Sequence, residues 1–444
     1  MTHPLPEAFV ARMRAQLGTH ADADFAALEQ PYQRGVRLNP RKPVPPEALD
    51  GFGECVPWNP DCGRYLSVDS AAGLDPLHEA GAYYIQEPSA MAPVAVLDPR
   101  PGERVLDLCA APGGKSTQIA DALCGEGLLV CNEPVPSRAR ILSRNIERMG
   151  IANALVVSEE PEKLAPLWPE SFDAVLVDAP CSGEGMFRRH PETRGEWSEA
   201  APAGCAARQR HILQSAVRML KPGGRLVYST CTLNREENED VAAWLLQTFP
   251  ELTAVPFSLP IGEGRALEAP DGLVHLYPHE LRGEGHFVAQ FAKAPSACSD
   301  RFTPAAQQLS KPDKALLAAY QTFAKGLPLL PQANAQMGDT LLCAPNLPPL
   351  KGIRVLRAGL QLGTLKGRVF APDHALAIAL PTQAMPCLPL SRAEALRYQS
   401  GEAIAAPETL SGWCLPVYQG LALGFGKASG GQLKNHYPKG LRRP

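Results

Sequence analysis

The sequence predicts an α/β protein: a doubly wound parallel sheet, preceded by an N-terminal accessory region and followed by a small, mostly β C-terminal domain. Three observations carry this. From Arg104 to Thr230 short apolar runs alternate with helical stretches, the pattern of strands buried between helices on both faces. From Ala294 to Asp313 Pro, Ser, Ala and Gln dominate and apolar periodicity lapses, which marks a linker. Beyond it, short apolar runs sit between Gly and Pro residues, as in small β domains. The expected division is 1–99, 100–293, a linker over 294–313, and 314–444.

In chain order, residues to about Pro99 read as irregular and partly helical, opening with apolar spacing around Phe9 and Met13. The expected strands of the central sheet are Arg104–Ala110, Leu128–Asn132, Ala154–Val157, Phe172–Val177 and Arg225–Thr230. Helices are expected over Ser116–Leu123, Ser137–Met149, Cys205–Leu220 and Glu236–Thr248. In the last domain the candidate strands are Thr340–Cys343, Ile353–Leu356, Gly363–Phe370 and Trp413–Tyr418.

A length of 444 residues suggests two or three domains, and 45% hydrophobic with 20% charged residues excludes a largely disordered chain. No apolar stretch approaches the roughly 18 residues of a membrane span, and Met1–Leu17 carries charges instead of a signal-peptide core, so the expected address is the cytoplasm. Twelve cysteines without regular spacing or any C-x-x-C pair support neither a disulfide framework nor a zinc site, and no metal is expected. A net charge of −3 argues against a protein that coats nucleic acid unselectively. Locally the balance differs: Lys351–Ala371 holds Lys351, Arg354, Arg357, Lys366 and Arg368 with no acid. The end of the chain holds Lys427, Lys434, Lys439, Arg442 and Arg443, again with none.

After the first strand come Asp107, Leu108, Cys109, Ala110, Ala111, Pro112, Gly113, Gly114 and Lys115, then a helix start. Small residues let the backbone turn tightly against a ligand, and a helix start offers free N–H groups. Such a loop also occurs as a plain tight turn, but neither the dinucleotide G-x-G-x-x-G spacing nor a P-loop is present. Glu133 ends the second strand, where an acid commonly grips ribose hydroxyls.

The fourth strand runs into Asp178-Ala179-Pro180-Cys181 and the fifth into Thr230-Cys231-Thr232. If the first, fourth and fifth strands are neighbours, Cys181, Cys231, Asp178 and the glycine loop share one cleft. A lone cysteine at a strand end is more often a buried hydrophobe, but the pair with Asp178 suits a particular chemistry. Carbon 5 of cytosine is a poor nucleophile until a thiolate adds to carbon 6; a second thiol nearby can assist release of the product. The spacing does not say which thiol attacks. Cys55, Cys62, Cys124, Cys131, Cys298, Cys343 and Cys387 have no comparable neighbours.

Asp107–Lys115 (DLCAAPGGK), Asp178–Arg189 (DAPCSGEGMFRR) and Ser229–Glu239 (STCTLNREENE) resemble the RNA 5-methylcytosine methyltransferase family of the Nop2/Sun type. The similarity extends through Arg37–Asn39, His78–Ser89 (HEAGAYYIQEPS) and Lys427–Asn435, nearly the whole chain, and fits a bacterial branch acting on small-subunit (16S) ribosomal RNA. The resemblance implies a Rossmann-like, S-adenosylmethionine-dependent domain with a PUA-like RNA-binding module at the C-terminus. It implies Cys231 as the nucleophile, on the Thr-Cys-Thr motif, and Cys181 as the thiol of product release. Cys109 to Lys115, Glu133 and Asp178 are implied to hold the cofactor, with Lys115 and Asp178 also touching the target base. The family's usual acid after the third strand is missing, since the chain reads Val157-Ser158-Glu159-Glu160. The implied partner is ribosomal RNA in the small subunit, with no membrane. Arg188, Arg189 and His190 are expected to meet phosphates beside a cytosine that is unpaired or flipped out. Transfer RNA is the rival substrate, and a noncatalytic assembly factor is the rival of another class.

Overall fold

The computed structural model describes residues 3–49, 51–295 and 309–442. Most of the expected linker, together with Cys298 and Arg443, lies outside the described residues.

The N-terminal region is more ordered than its sequence suggests. Helices Glu7–Leu17 and Ala21–Leu28 are followed by β1 (Arg34–Leu38), β2 (Phe52–Val56), β3 (Asn59–Leu66) and β4 (Tyr83–Ile85). They form an antiparallel sheet in the order β2-β3-β1-β4. The alternation of a half-buried strand is obscured by Arg37, which lies 1% exposed and pairs with Asp121 on the helix Gly114–Ala122.

The parallel strands are β5 (Arg104–Asp107), β6 (Leu128–Asn132), β7 (Ala154–Val157), β8 (Phe172–Asp178) and β9 (Leu220–Thr230). Every residue of β6 and β7 is buried, as strands covered on both faces must be. The first strand stops at Asp107, short of the expected Ala110, because the chain leaves the sheet to form the loop. Four further strands follow: β10 (Leu252–Ala254), β11 (Phe257–Gly262) and β12 (Arg265–Ala269), which form a separate two-stranded hairpin, and β13 (Leu273–Leu276), which pairs with β14 (His286–Lys293). β15 (Ala335–Met337) and β16 (Thr340–Cys343) belong to a separate sheet, whereas β14 and β17 (Val355–Ala358) join the central one, whose path is β10-β14-β9-β8-β5-β6-β7-β17. The first, fourth and fifth expected strands are therefore neighbours, and β14 adds antiparallel to β9. The helices Gly114–Ala122, Pro136–Arg148, Ala201–Met219 and Glu239–Thr248 occupy the positions expected of them to within a few residues.

The C-terminal part is mostly β, as expected, but β17 pairs with β7 and so completes the central sheet. Arg357, read from the sequence as part of a basic surface, is 2% exposed and paired with Glu147. Phe370, Phe425 and Tyr437 are core residues, whereas Lys351, Arg354, Lys366, Arg368, Lys427, Lys434 and Lys439 are exposed.

Candidate active site

The carboxyl ends of β5, β8 and β9 open onto a cleft of about 790 Å³. Of the residues expected there, Cys109, Ala111, Glu133, Asp178, Cys181 and Cys231 line it. Ala110, Pro112, Gly113, Gly114 and Lys115 build the loop behind this wall. The Ala110 N–H is spent on the carbonyl of Asn132 at 2.9 Å, and the Pro112 carbonyl accepts from Asn145 at 2.8 Å. Gly113 has φ +115°, and a Cβ there would stand 3.2 Å from Leu142 Cδ1, so glycine serves both the turn and the packing. Burial pushes the Cys109 thiol well above its ordinary value, which leaves it a neutral wall residue.

Register places Asp178 beside Ser229 on β9, and the next residues of each loop carry the thiols. Cys181 Sγ and Cys231 Sγ are 3.3 Å apart. Contact with Cys231, then burial, raises the Cys181 thiol well above its ordinary range, so Cys181 holds its proton. Two buried carboxylates clasp the loops in opposite directions. Glu184, after Cys181, accepts the N–H groups of Leu233 and Asn234 at 3.1 and 2.9 Å, and the Thr232 hydroxyl at 2.9 Å. Glu237, after Cys231, accepts the Ser182 N–H at 3.0 Å and a Gln209 amide N–H at 2.8 Å. Such charge-assisted bonds, about 1.5–3 kcal/mol each, fix the loop-to-loop distance and with it the spacing of the sulfurs.

Asp178 Oδ2 accepts from Lys115 Nζ at 2.8 Å, and Oδ1 accepts from the Ser229 hydroxyl at 2.8 Å. Burial would push this carboxyl up, but the Lys115 ammonium holds it well below the usual carboxylate range. For Lys115 burial opposes the charge and the pairing with Asp178 wins, raising its value. Glu133 is 2% exposed, its Oε1 accepting the Val135 N–H at 3.0 Å. After the third strand Glu159 turns away to Lys163 at 2.8 Å, whereas Glu160 and Glu162 line the cleft.

The sequence reading missed His286, which stands 3.3 Å from Lys115 Nζ, and Arg208 and His211, which line the cleft from the helix Ala201–Met219. Arg208, His211 and Ile212 share one helical face, so their spacing is the one signal that points to a cleft-facing stripe. Arg188 does not meet solvent. It is 7% exposed and bonded to Glu284 at 2.8 and 3.0 Å, so it cannot serve the phosphate role expected of it. Arg189 and His190 are exposed.

This arrangement can be set beside known proteins. A family model described as 16S rRNA methyltransferase RsmB/F matches residues 94–292, and one for the N-terminal domain of 16S rRNA methyltransferase RsmF matches 5–88. The RsmF rRNA methyltransferase first C-terminal domain matches 322–380, and the methyltransferase RsmF PUA domain matches 386–443. Ribosomal RNA small subunit methyltransferase F of Klebsiella pneumoniae (strain 342) is 36% identical over 99% of this chain and 96% of its own length. The chain belongs to the ribosomal RNA small subunit methyltransferase F family. Its relative of the same name in Shewanella loihica is 34% identical over the same shares. Among solved structures, a methyltransferase homolog protein from Pyrococcus horikoshii is 32% identical, covers 65% of this chain and 95% of its own, and superposes with a TM-score of 0.55. NSun6 from the same organism, solved with SFG, shares the fold at 21% identity and TM-score 0.57, covering 67% of this chain and all of its own. The Rossmann-like methyltransferase fold with a small PUA-type β domain is thus that of the family.

Proposed function

We propose that the protein transfers a methyl group from S-adenosylmethionine to carbon 5 of a cytosine in small-subunit ribosomal RNA, with Cys231 as nucleophile. The observation that carries this reading is the 3.3 Å between the Cys181 and Cys231 sulfurs in a cleft walled by Asp178. Methylation of an oxygen or an amine needs no thiol, whereas carbon 5 must first be made nucleophilic by addition of sulfur to carbon 6. Asp178, held ionised, is placed to accept N–H groups from the ring nitrogen and exocyclic amine, which favours the electrophilic ring. Once a base has taken the proton from the methylated carbon 5, the Cys231 sulfur leaves carbon 6, and Cys181, which keeps its proton, can donate it in a hydrogen bond to that sulfur.

The cofactor supplies an electrophilic methyl group when bound. Glu133 is a buried carboxylate at the end of β6 with the cleft open in front of it, a donor set that fits vicinal ribose hydroxyls. Cys109 and Ala111 form the neutral wall between Glu133 and the thiols. The target cytosine must leave its helix to reach Cys231. Arg208, exposed at the rim, and the C-terminal lysines suit the phosphates around it. The relatives' names support ribosomal RNA of the small subunit as the substrate, and a protein acting on that RNA would work in the cytoplasm.

The test is transfer of radiolabelled methyl from S-adenosylmethionine to small ribosomal subunits and, separately, to transfer RNA, both from cells lacking this gene. The expected result is label on cytosine of the subunit, absent with Cys231→Ala, while Cys181→Ala accumulates an RNA adduct that survives denaturing gels. Label on transfer RNA alone would overturn the substrate, and no label on either would leave a binding factor.

A further inference from the structure

His286 opens β14, beside β9, and lies 4% exposed behind the wall of the cleft. Its Nδ1 stands 3.0 Å from the carbonyl oxygen of Gly285, which only accepts, so Nδ1 carries a proton. The remaining nitrogen, Nε2, stands 3.3 Å from Lys115 Nζ and 3.8 Å from Asp178 Oδ1. These are the groups that face it: Lys115 from the helix after β5, and Asp178 from β8, whose Oδ1 is already bonded to Ser229. Asp107 and Cys231 lie within electrostatic reach of Lys115.

A doubly protonated ring would set a second cation and its N–H against the buried ammonium. A neutral ring does not, and it offers Lys115 an acceptor. We infer that neutral His286 is a positioning residue for the methyl transfer, its Nε2 and Asp178 Oδ2 together fixing the Lys115 ammonium so that one N–H remains for the target base. An ammonium tied at one point turns freely about its Cε–Nζ bond; tied at two, its last donor has one direction. The inference rests on the cytosine reading above.

Two substitutions separate positioning from filling. His286→Phe keeps a ring and removes the acceptor; His286→Gln removes the ring and keeps a side-chain acceptor. With small subunits lacking the modification, His286→Phe should lower kcat about tenfold, the effect of one lost charge-assisted hydrogen bond. His286→Gln should recover most of that loss, and S-adenosylmethionine affinity, measured by calorimetry, should stay within about twofold of the parent in both. Equal rates for parent and His286→Phe, or equal defects in Phe and Gln, would each overturn the inference. If Phe fails to fold, His286→Leu, which likewise lacks an acceptor, takes its place. A parent that methylates no cytosine overturns the cytosine reading and this inference with it, whereas an active parent with an equally active Phe variant overturns the inference alone.

Discussion

Asp107 ends β5 with no exposed surface, and only one of its carboxylate oxygens has a hydrogen-bond partner among the described residues, the Ser116 hydroxyl at 2.6 Å. Burial raises its carboxyl from 3.8 to about 7, against the lowering effect of that bond. Because the folded value lies above the unfolded one, the folded chain binds this proton more tightly. The resulting stabilisation is complete below pH 3.8 and is lost as pH rises through about 7. Asp107→Asn, which keeps an acceptor for Ser116 and removes the titration, should therefore raise the melting temperature more at pH 8 than at pH 5. Thermal unfolding of both proteins across this range checks it, and an equal shift at both pH values would refute it. Asp107 is easily seen in the sequence as the head of DLCAAPGGK. Its raised value is not, because burial depends on strands far away in the chain.

At the scale of elements, the hairpin of Gly426–Ser429 and Gln432–Asn435 sets Lys427 directly across from Lys434. Like charges opposite one another on a sheet destabilise it, and neither lysine has an ion pair among the described residues. His436 is held below its ordinary value by burial and by Lys434, Lys366 and Lys427, which places Lys366, from the neighbouring β-hairpin, in the same cluster. Such uncompensated charge suits phosphates. Replacing Lys427 and Lys434 by Ala should weaken binding to small-subunit RNA and reduce the slope of log affinity against log salt by about 0.7–0.9 per lysine. An unchanged slope would remove the hairpin from the RNA surface. The basic tracts were legible here because charge on an exposed hairpin is a local property. Arg188 and Arg357 misled for the converse reason: their partners, Glu284 and Glu147, lie 96 and 210 residues away and leave no local trace. The five parallel strands were legible because burial on both faces makes them continuous apolar runs. β1 to β4 were not, since arginines occupy strand positions, and β4 has three residues.

At the scale of the molecule, β17 ties the C-terminal part to the catalytic sheet. It pairs with β7, which itself neighbours the strand leading to Glu133, so a segment of the C-terminal part is built into the central hydrogen-bonded sheet. The sequence presents 314–444 as a unit following a linker, and nothing local to Val355–Ala358 announces a partner some two hundred residues earlier. The join is sealed by the Arg357–Glu147 pair, with side chains 3% and 19% exposed. Burial raises the Glu147 carboxyl and Arg357 lowers it, so removing the guanidinium leaves a carboxylate that is costly to keep charged. Arg357→Ala should thus cost about 3 kcal/mol, and it should do so at the seam between the two parts. Parent protein should unfold in one calorimetric transition, because melting the C-terminal part strips the edge of β7; the variant should split into two, with the C-terminal part melting first. Glu147→Met with Arg357→Met replaces the pair by apolar side chains that still fill the seam, and should restore a single transition near the parent temperature. A single transition in Arg357→Ala at the parent temperature, or a double variant no better than the single one, would show that the sheet pairing of β17 holds the two parts together without this pair.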